Sequence, residues 1–502
     1  MAEAAEPSPP AAPESPAAPE RPAAPESPAA PECSDWPRVA WLALASCALL
    51  ALLRWRACLS FSEPVLFETS GTECEALFGI WRTLQGEPIY SLGLEPPYVL
   101  TWLNWLFYVL YAAWSQLWLS LLGLEDAWLP VIGRLLSLLF TALSAGWLYR
   151  CARELGAQPR AAALTAGLAT LTPLGQFFSV TVRPDWPALA LECFALLWAL
   201  RYVRRRDPWA LAAATLACFV SWSFKHSSVV VITGLCLWLI VERRWRELFA
   251  CALGTFALYG LSFGLGGETY RFGLLGSQAN QSWQPQGGLL NALKASAKAP
   301  LLPVGFLAAL WGLRRPEGRR GELGLLAWTT AFGFLWTAAL TSKSGAHTYY
   351  LLPALCVGTL YASRTLGPKL LAPGCVAQLV VALAIASGQL SVITPPRPYD
   401  LARLRDNLAE LPGPVLVGYR PGNVPWVQQR PPHFVYAYTY WVDRSAGREH
   451  EGGGLAGWIR ERRLGTIVLR EENDPPVFDD QPVRGYRRVK VEGGLAYWVR
   501  QN

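Results

Sequence analysis

The chain has 502 residues, of which 52% are hydrophobic and only 16% charged, with 24 Trp, a single Met and a formal net charge of +7. A soluble domain carries about 25% charged residues, and the deficit here lies in many long apolar runs, which excludes a soluble globular protein. The positive balance does not point to nucleic acid, because the arginines cluster between apolar runs, where they orient membrane spans.

Residues 1–36 repeat the unit AAPESP/AAPERP. Ala, Pro, Glu and Ser bury too little apolar area to offset the entropy of ordering, so this segment reads as a disordered, cytoplasmic tail. It lacks the basic start of a signal peptide. From residue 37 the apolar runs begin, each close to the length that crosses about 30 Å of hydrocarbon. The expected spans are 38–58, 129–150, 161–180, 186–202, 208–223, 228–242, 247–265, 300–313, 323–341, 348–364 and 374–391, about eleven in all. Basic clusters follow at Arg150/Arg153/Arg160, Arg201/Arg204/Arg205/Arg206, Arg243/Arg244/Arg246, Arg314/Arg315/Arg319/Arg320 and Arg364/Lys369. With the N-terminus inside, all five fall on the inner side only if the further apolar run 99–122 stays out of the bilayer. That run carries Trp102, Trp105, Tyr108, Tyr111, Trp114 and Trp118 at helical spacing, which suits the headgroup level. The expectation is therefore interfacial helices within a first outer loop, 59–128; an ordinary lipid-facing span remains the plainer reading of 99–122.

The eleven Cys are scattered, with no metal-ligand spacing, and read as small core residues. Cys58 and Cys74 both fall near or in the first outer loop, so a disulfide between them is left open. The material after residue 391 is different. Pro414–Tyr419 and Thr466–Arg470 have the pattern of short buried strands, Leu455–Arg463 of a helix between them, and Val489–Arg500 of a hairpin around Gly493-Gly494. Residues 396–502 are expected to form a small extracytoplasmic α/β domain, hinged at Pro395-Pro396 and Pro398.

The chemistry is expected on the outer side. Glu68, Glu73 and Glu75 crowd the first loop beside a membrane segment, where carboxylates are expensive to keep. Later loops add Arg183-Pro184-Asp185, Lys225-His226, and Lys343 with His347-Thr348-Tyr349-Tyr350. Each has a plainer reading, as an ion pair capping a helix, the polar tip of a hairpin or an aromatic belt. Their coincidence on one leaflet is the stronger signal. Transfer of a sugar from a polyprenyl phosphate needs a carboxylate to take the acceptor's proton and cations to hold the phosphate and the departing charge. This residue set meets those needs with no metal and no cofactor. The partners so expected are a polyprenyl-phosphate-linked sugar, the bilayer, and an acceptor glycan, lipid or protein. A transporter or flippase would be expected to carry internal repeats and midplane charges, which are absent from the pattern; a non-catalytic envelope scaffold is the third possibility.

The order of features resembles the GT-C glycosyltransferases, in particular the bacterial protein-mannosyltransferase-like and aminoarabinose-transferase-like group. It comprises a first span, an acidic loop, Gln85-Gly86-Glu87-Pro88-Ile89-Tyr90, Pro96-Pro97-Tyr98, an aromatic helix, and a span opening with Arg134. Arg183-Pro184-Asp185 and His347-x-Tyr349-Tyr350 are similar to recurrent features there, and the resemblance covers roughly 38–391. It implies a GT-C-like fold in a bacterial-type cytoplasmic membrane and a catalytic carboxylate, usually Asp, in the first outer loop. Glu73, thirteen residues before Gly86, is the positional match, with Glu68 and Glu75 as alternatives. Lys225, His226, Arg183, Lys343 and His347 are the implied phosphate-binding groups, and Asp185, Arg134, Tyr349 and Tyr350 the supporting or acceptor-side ones. This loop has no Asp before Gly86 and lacks the Asp-Glu pair common in protein mannosyltransferases.

Overall fold

The computed structural model describes residues 36–58, 72–390, 401–418, 424–435, 438–471, 477–478 and 481–501. The N-terminal tail, Glu68, the side chain of Cys58 and the proline hinge after residue 391 lie outside them, so the expectations placed on those residues are not addressed.

The apolar runs fold into helices whose ends are written in the sequence. They are α1 (Val39–Cys58), α2 (Thr72–Leu84), α3 (Trp105–Leu122), α4 (Leu129–Glu154), α5 (Pro159–Thr170), α6 (Asp185–Arg205), α7 (Pro208–Phe224) and α8 (Val230–Val241), then α9 (Trp245–Leu265), α10 (Pro285–Lys298), α11 (Leu301–Leu313), α12 (Gly321–Leu340), α13 (Leu352–Thr365) and α14 (Pro368–Leu390). Asn104 caps α3 by accepting the Trp105 N–H at 2.9 Å, and Gly123 ends that helix in the left-handed conformation. Asp207 caps α7 in the same way, ahead of Pro208, whose missing N–H costs nothing at the first helical position. Among the described residues six helices are long and apolar enough to cross a membrane: α3, α4, α6, α9, α12 and α14. The helices α10 and α11 would together pass that test but are bent by 106°, and α1, α7 and α8 are shorter apolar helices. The protein is thus an integral, multi-pass membrane protein.

Packing pairs α6 with α7 and α4, α1 with α14, α11 with α13, and α8 with α12. At the α11–α13 crossing the backbones touch: a Cβ on Gly305 would stand 2.5 Å from the carbonyl carbon of Gly358. Without a hydrophobic force between helices in lipid, close approach of this kind is what holds them together.

Three sequence expectations change. Regular helix in 161–180 stops at Thr170, because Pro173 cannot donate to the ladder. Carbonyls at the break are met by side chains instead: Gln176 donates to that of Leu171 and Arg54 to that of Pro173, while Gln176 also reaches the Cys47 carbonyl of α1. The segment 266–299, left uncovered between the expected spans 247–265 and 300–313, is largely helical, comprising Gly267–Arg271, a π-turn at Phe272–Gly276 and α10. Finally, 99–122 is helical from Trp105 and is itself long and apolar enough to span, so length and composition do not confine it to the interface.

The C-terminal segment contains α15 (Leu401–Ala409), α16 (Tyr438–Ser445), α17 (Gly454–Arg460) and a four-stranded sheet of β1 (Val415–Val417), β2 (Thr466–Arg470), β3 (Tyr486–Glu492) and β4 (Leu495–Arg500) in the order β1-β2-β4-β3. β1 runs parallel to β2, with Val415 opposite Thr466, and the other pairs are antiparallel. Gly493 and Gly494 turn the β3–β4 hairpin with φ of 59° and 77°, values that fit glycine. The first loop is fastened into this unit by Tyr98, whose ring sits among Phe434, Tyr440 and His450 and whose hydroxyl donates to the Glu451 carbonyl at 2.7 Å. Flanking backbone bonds join Val435 to Pro97 and Glu451 to Leu94.

Candidate active site

Loops at one end of the helices converge on a cavity of about 180 Å³, lined by Arg183, Pro184, Asp185, Lys225, His226, His347, Tyr349 and Tyr350, with Trp102, Leu103, Gln278, Gln281 and the Ser344–Ala346 turn completing the wall. Each element delivers its group for a local reason. Asp185 opens α6, where the helix dipole favours a carboxylate. Lys225 ends α7 in extended backbone, and the short turn after it carries His226 into the same space. Tyr349 and Tyr350 lie on a single 3₁₀ turn before α13.

Asp185 is the hub. Its Oδ2 accepts from Arg183 Nε at 3.0 Å and its Oδ1 from Lys225 Nζ at 2.6 Å. Arg183 and Lys225 thus share the Asp185 carboxylate in a partly dry space. The aromatic wall presents ring faces to both: the Arg183 guanidinium is 4.4 Å from the Tyr349 ring centre, and the Lys225 ammonium 4.0 Å from that of Tyr350. His226 is pushed down to about 4, first by burial and then by Lys343 and Lys225, so its imidazole is neutral near pH 7. Its Nδ1 is shielded and has no hydrogen-bond partner among the described residues. His347 is also held below its ordinary value, chiefly by burial. Among the described residues the lining holds two charged donors, two neutral imidazoles and one carboxylate, a set that suits an anion.

Of the residues expected from sequence, this cavity gathers Arg183, Asp185, Lys225, His226, His347, Tyr349 and Tyr350. Lys343 is not in its lining; the ammonium lies 3.5 Å from Gln278 Oε1 and over the Trp283 ring. The first-loop carboxylates are placed elsewhere. Glu73 is 0% exposed and forms a two-pronged ion pair with Arg134, itself 1% exposed, at 3.0 and 3.1 Å, and also accepts the Val182 N–H at 2.9 Å. Glu75 is buried on the first turn of α2. The expectation assigned the acceptor's proton to Glu73; here its carboxylate is enclosed by Arg134 and the Val182 amide and lies outside the cavity lining. It anchors the backbone that leads into the cavity. Ser137 bonds the Thr181 carbonyl, Glu73 the Val182 N–H and Tyr111 the Arg183 carbonyl, so three successive residues are held from behind. Gln278 and Gln281 had no signal in the sequence beyond lying between apolar runs. Among the described residues no group of three or more His, Cys, Asp or Glu is placed to hold a metal ion.

Residues 95–263 match the family model of dolichyl-phosphate-mannose-protein mannosyltransferase. No curated protein matches the sequence. In fold, the chain is similar to ArnT from Cupriavidus metallidurans, solved bound to undecaprenyl phosphate, with a TM-score of 0.59 at 15% identity over 92% of this chain and 98% of that one. It is also similar to the archaeal oligosaccharyltransferase AglB from Archaeoglobus fulgidus, solved with an inhibitory peptide and a dolichol-phosphate, with a TM-score of 0.51 at 12% identity over 86% of this chain and 70% of that one. The resemblance to GT-C glycosyltransferases of the protein-mannosyltransferase-like and ArnT-like branch thus holds in the fold over most of the chain and in the sequence over 95–263.

Proposed function

We propose that this protein is a glycosyltransferase that moves a sugar from a polyprenyl-phosphate donor to an acceptor on the extracytoplasmic side of a cytoplasmic membrane, with inversion and without a metal. The observation that carries the reading is the Arg183–Asp185–Lys225 cluster under the Tyr349/Tyr350 wall. Two neighbours in fold were solved with polyprenyl phosphates, which supports a lipid phosphate as the anion the cluster would take.

In this reading the donor phosphate takes hydrogen bonds from Lys225 and Arg183, and the shielded Nδ1 of neutral His226 faces the same space. As those cations turn to the phosphate, their hold on Asp185 loosens. Asp185 is the carboxylate in the cavity lining among the described residues, and it accepts the proton of the attacking hydroxyl. The hydroxyl displaces the phosphate from the anomeric carbon in one step, and the cations stabilise the departing charge. The role of Glu73 is to hold Val182 and so to aim Arg183.

The test uses the purified chain in nanodiscs with a panel of polyprenyl-phosphate sugars. Lys225→Ala is expected to weaken donor binding by about ten- to a hundredfold, the worth of one buried charge-assisted contact. Asp185→Asn is expected to keep donor binding and lose about 10²- to 10⁴-fold in turnover. Unchanged donor affinity in the first and unchanged turnover in the second would overturn the reading.

A further inference from the structure

The cavity has a second buried carboxylate behind it. Glu192 lies seven residues after Asp185 on α6, two turns deeper on the same face, roughly 10 Å along the axis. It is 2% exposed inside an apolar helix bundle. A carboxylate at such depth is costly and calls for a compensating partner. Its Oε1 accepts the N–H of Val230, the first residue of α8, at 3.0 Å. The N-cap residue of α8 is Val229, which has no polar side chain to offer and makes no cap hydrogen bond. The exposed amides at a helix start need an acceptor, and the helix dipole favours a negative one. Glu192 supplies the acceptor from a neighbouring helix. Its Oε2 has no hydrogen-bond partner among the described residues, so the contact with α8 is what the side chain is seen to do.

What α8 carries makes this more than packing. Only four residues, 226–229, separate Lys225, which caps the end of α7, from Val230. That turn is drawn tight by Ser228 N–H on the Lys225 carbonyl at 2.9 Å, and Trp336 Nε1 donates to the Ser227 carbonyl at 3.3 Å. On the other side, Ser221 of α7 is tied to the Ala188 carbonyl of α6 at 2.8 Å. The Lys225-His226 turn is thus suspended between two helix ends, both tied to α6, the helix that presents Asp185.

We propose that Glu192 is a positioning residue: by holding the amino end of α8 against α6, it fixes the Lys225-His226 turn so that the ammonium meets Asp185. One helix then sets both partners of that ion pair, Asp185 directly and Lys225 through Glu192. The proposal rests on the cavity being the donor site only for its effect on activity; its structural part stands apart from that reading.

The experiment therefore has two readouts on the full chain in nanodiscs. Hydrogen exchange by mass spectrometry reports the amides of 225–232, and donor binding reports the function. Glu192→Leu is expected to speed exchange there by about tenfold or more while leaving α1 and α14 as protected as before. Glu192→Gln, which keeps an acceptor oxygen, should restore most of the protection, and it also serves where the Leu variant fails to fold. For donor binding, Glu192→Leu and Lys225→Ala should each weaken affinity, and the double variant should be no worse than Lys225→Ala alone, because the one acts through the other. Unchanged exchange at 225–232 in both variants, or additive losses of donor affinity, would overturn the proposal. Faster exchange with donor affinity unaffected by Lys225→Ala would uphold the positioning and remove the donor-site reading instead.

Discussion

A carboxylate held by a guanidinium on two prongs and by a backbone amide behaves as a fixed strut. For Glu73 the consequence is energetic: removing its charge takes the two-pronged carboxylate away from buried Arg134, and breaking a buried ion pair typically costs about 3–5 kcal/mol. Glu73→Gln is therefore expected to lower the melting temperature and the yield of folded protein, with turnover per folded molecule falling far less than in Asp185→Asn. A thermal-shift series in detergent with parallel assays checks this. Histidine gives the pH dependence. His226 has a folded value of about 4, against an ordinary 6.5, so between those limits the unfolded chain binds the proton more readily than the folded one. Stability should be full above about pH 6.5 and decline as pH falls toward 4, and His226→Asn should flatten that slope in melts across the window. At this scale, half the site is legible in the sequence. The groups at 183–185, 225–226 and 347–350 interrupt apolar runs and so announce themselves. Their partners do not. Glu73 and Arg134 are 61 positions apart, and a carboxylate that lies next to a membrane reads the same whether it faces a substrate or an arginine.

Among the elements, helices were legible wherever an apolar run was long and closed by Arg, Pro or Gly, because lipid forces such a run to satisfy its own backbone as helix. Two departures mark the limits of that logic. Helix α5 ends early because Pro173 breaks the ladder, and Arg54 of α1 and Gln176 of the following turn donate to the Pro173 and Leu171 carbonyls there. Helix α10 was missed because Gly287-Gly288 resembles a loop and its leucines, Leu289, Leu290 and Leu293, cover only part of its surface. Helix contact has its own test at Gly305. A side chain there meets the Gly358 backbone at 2.5 Å, which no rotamer relieves, so Gly305→Leu should force α11 and α13 apart. Loss of the folded peak in size-exclusion chromatography, or a steep fall in melting temperature, is the expected outcome. Gly146, with nothing within 4 Å of its would-be Cβ, is the control and should tolerate alanine.

For the molecule as a whole, the C-terminal unit was legible as alternating strands and a glycine hairpin, but its attachment was not, since nothing in Pro96-Pro97-Tyr98 announces a socket more than three hundred residues away. Tyr98 is 1% exposed, and Trp458 Nε1 also donates to its hydroxyl, at 3.0 Å. Truncating a buried aromatic of this kind costs about 3–5 kcal/mol. Tyr98→Ala is expected to leave the helical domain intact and to make the chain after residue 391 more sensitive to limited proteolysis; equal cleavage rates would show that the flanking backbone bonds suffice. The same contact also sets a schedule for biosynthesis. Tyr98 and Glu451 are 353 residues apart, which at 5–20 residues per second is on the order of 20 to 70 s of translation. For that interval the newly made first loop has no socket, and its aromatic anchor stays without the contacts that bury it in the finished chain. A ribosome that stops short of Glu451 releases a chain with its helices in place and that anchor uncovered, a form that quality-control proteases can tell from the finished protein.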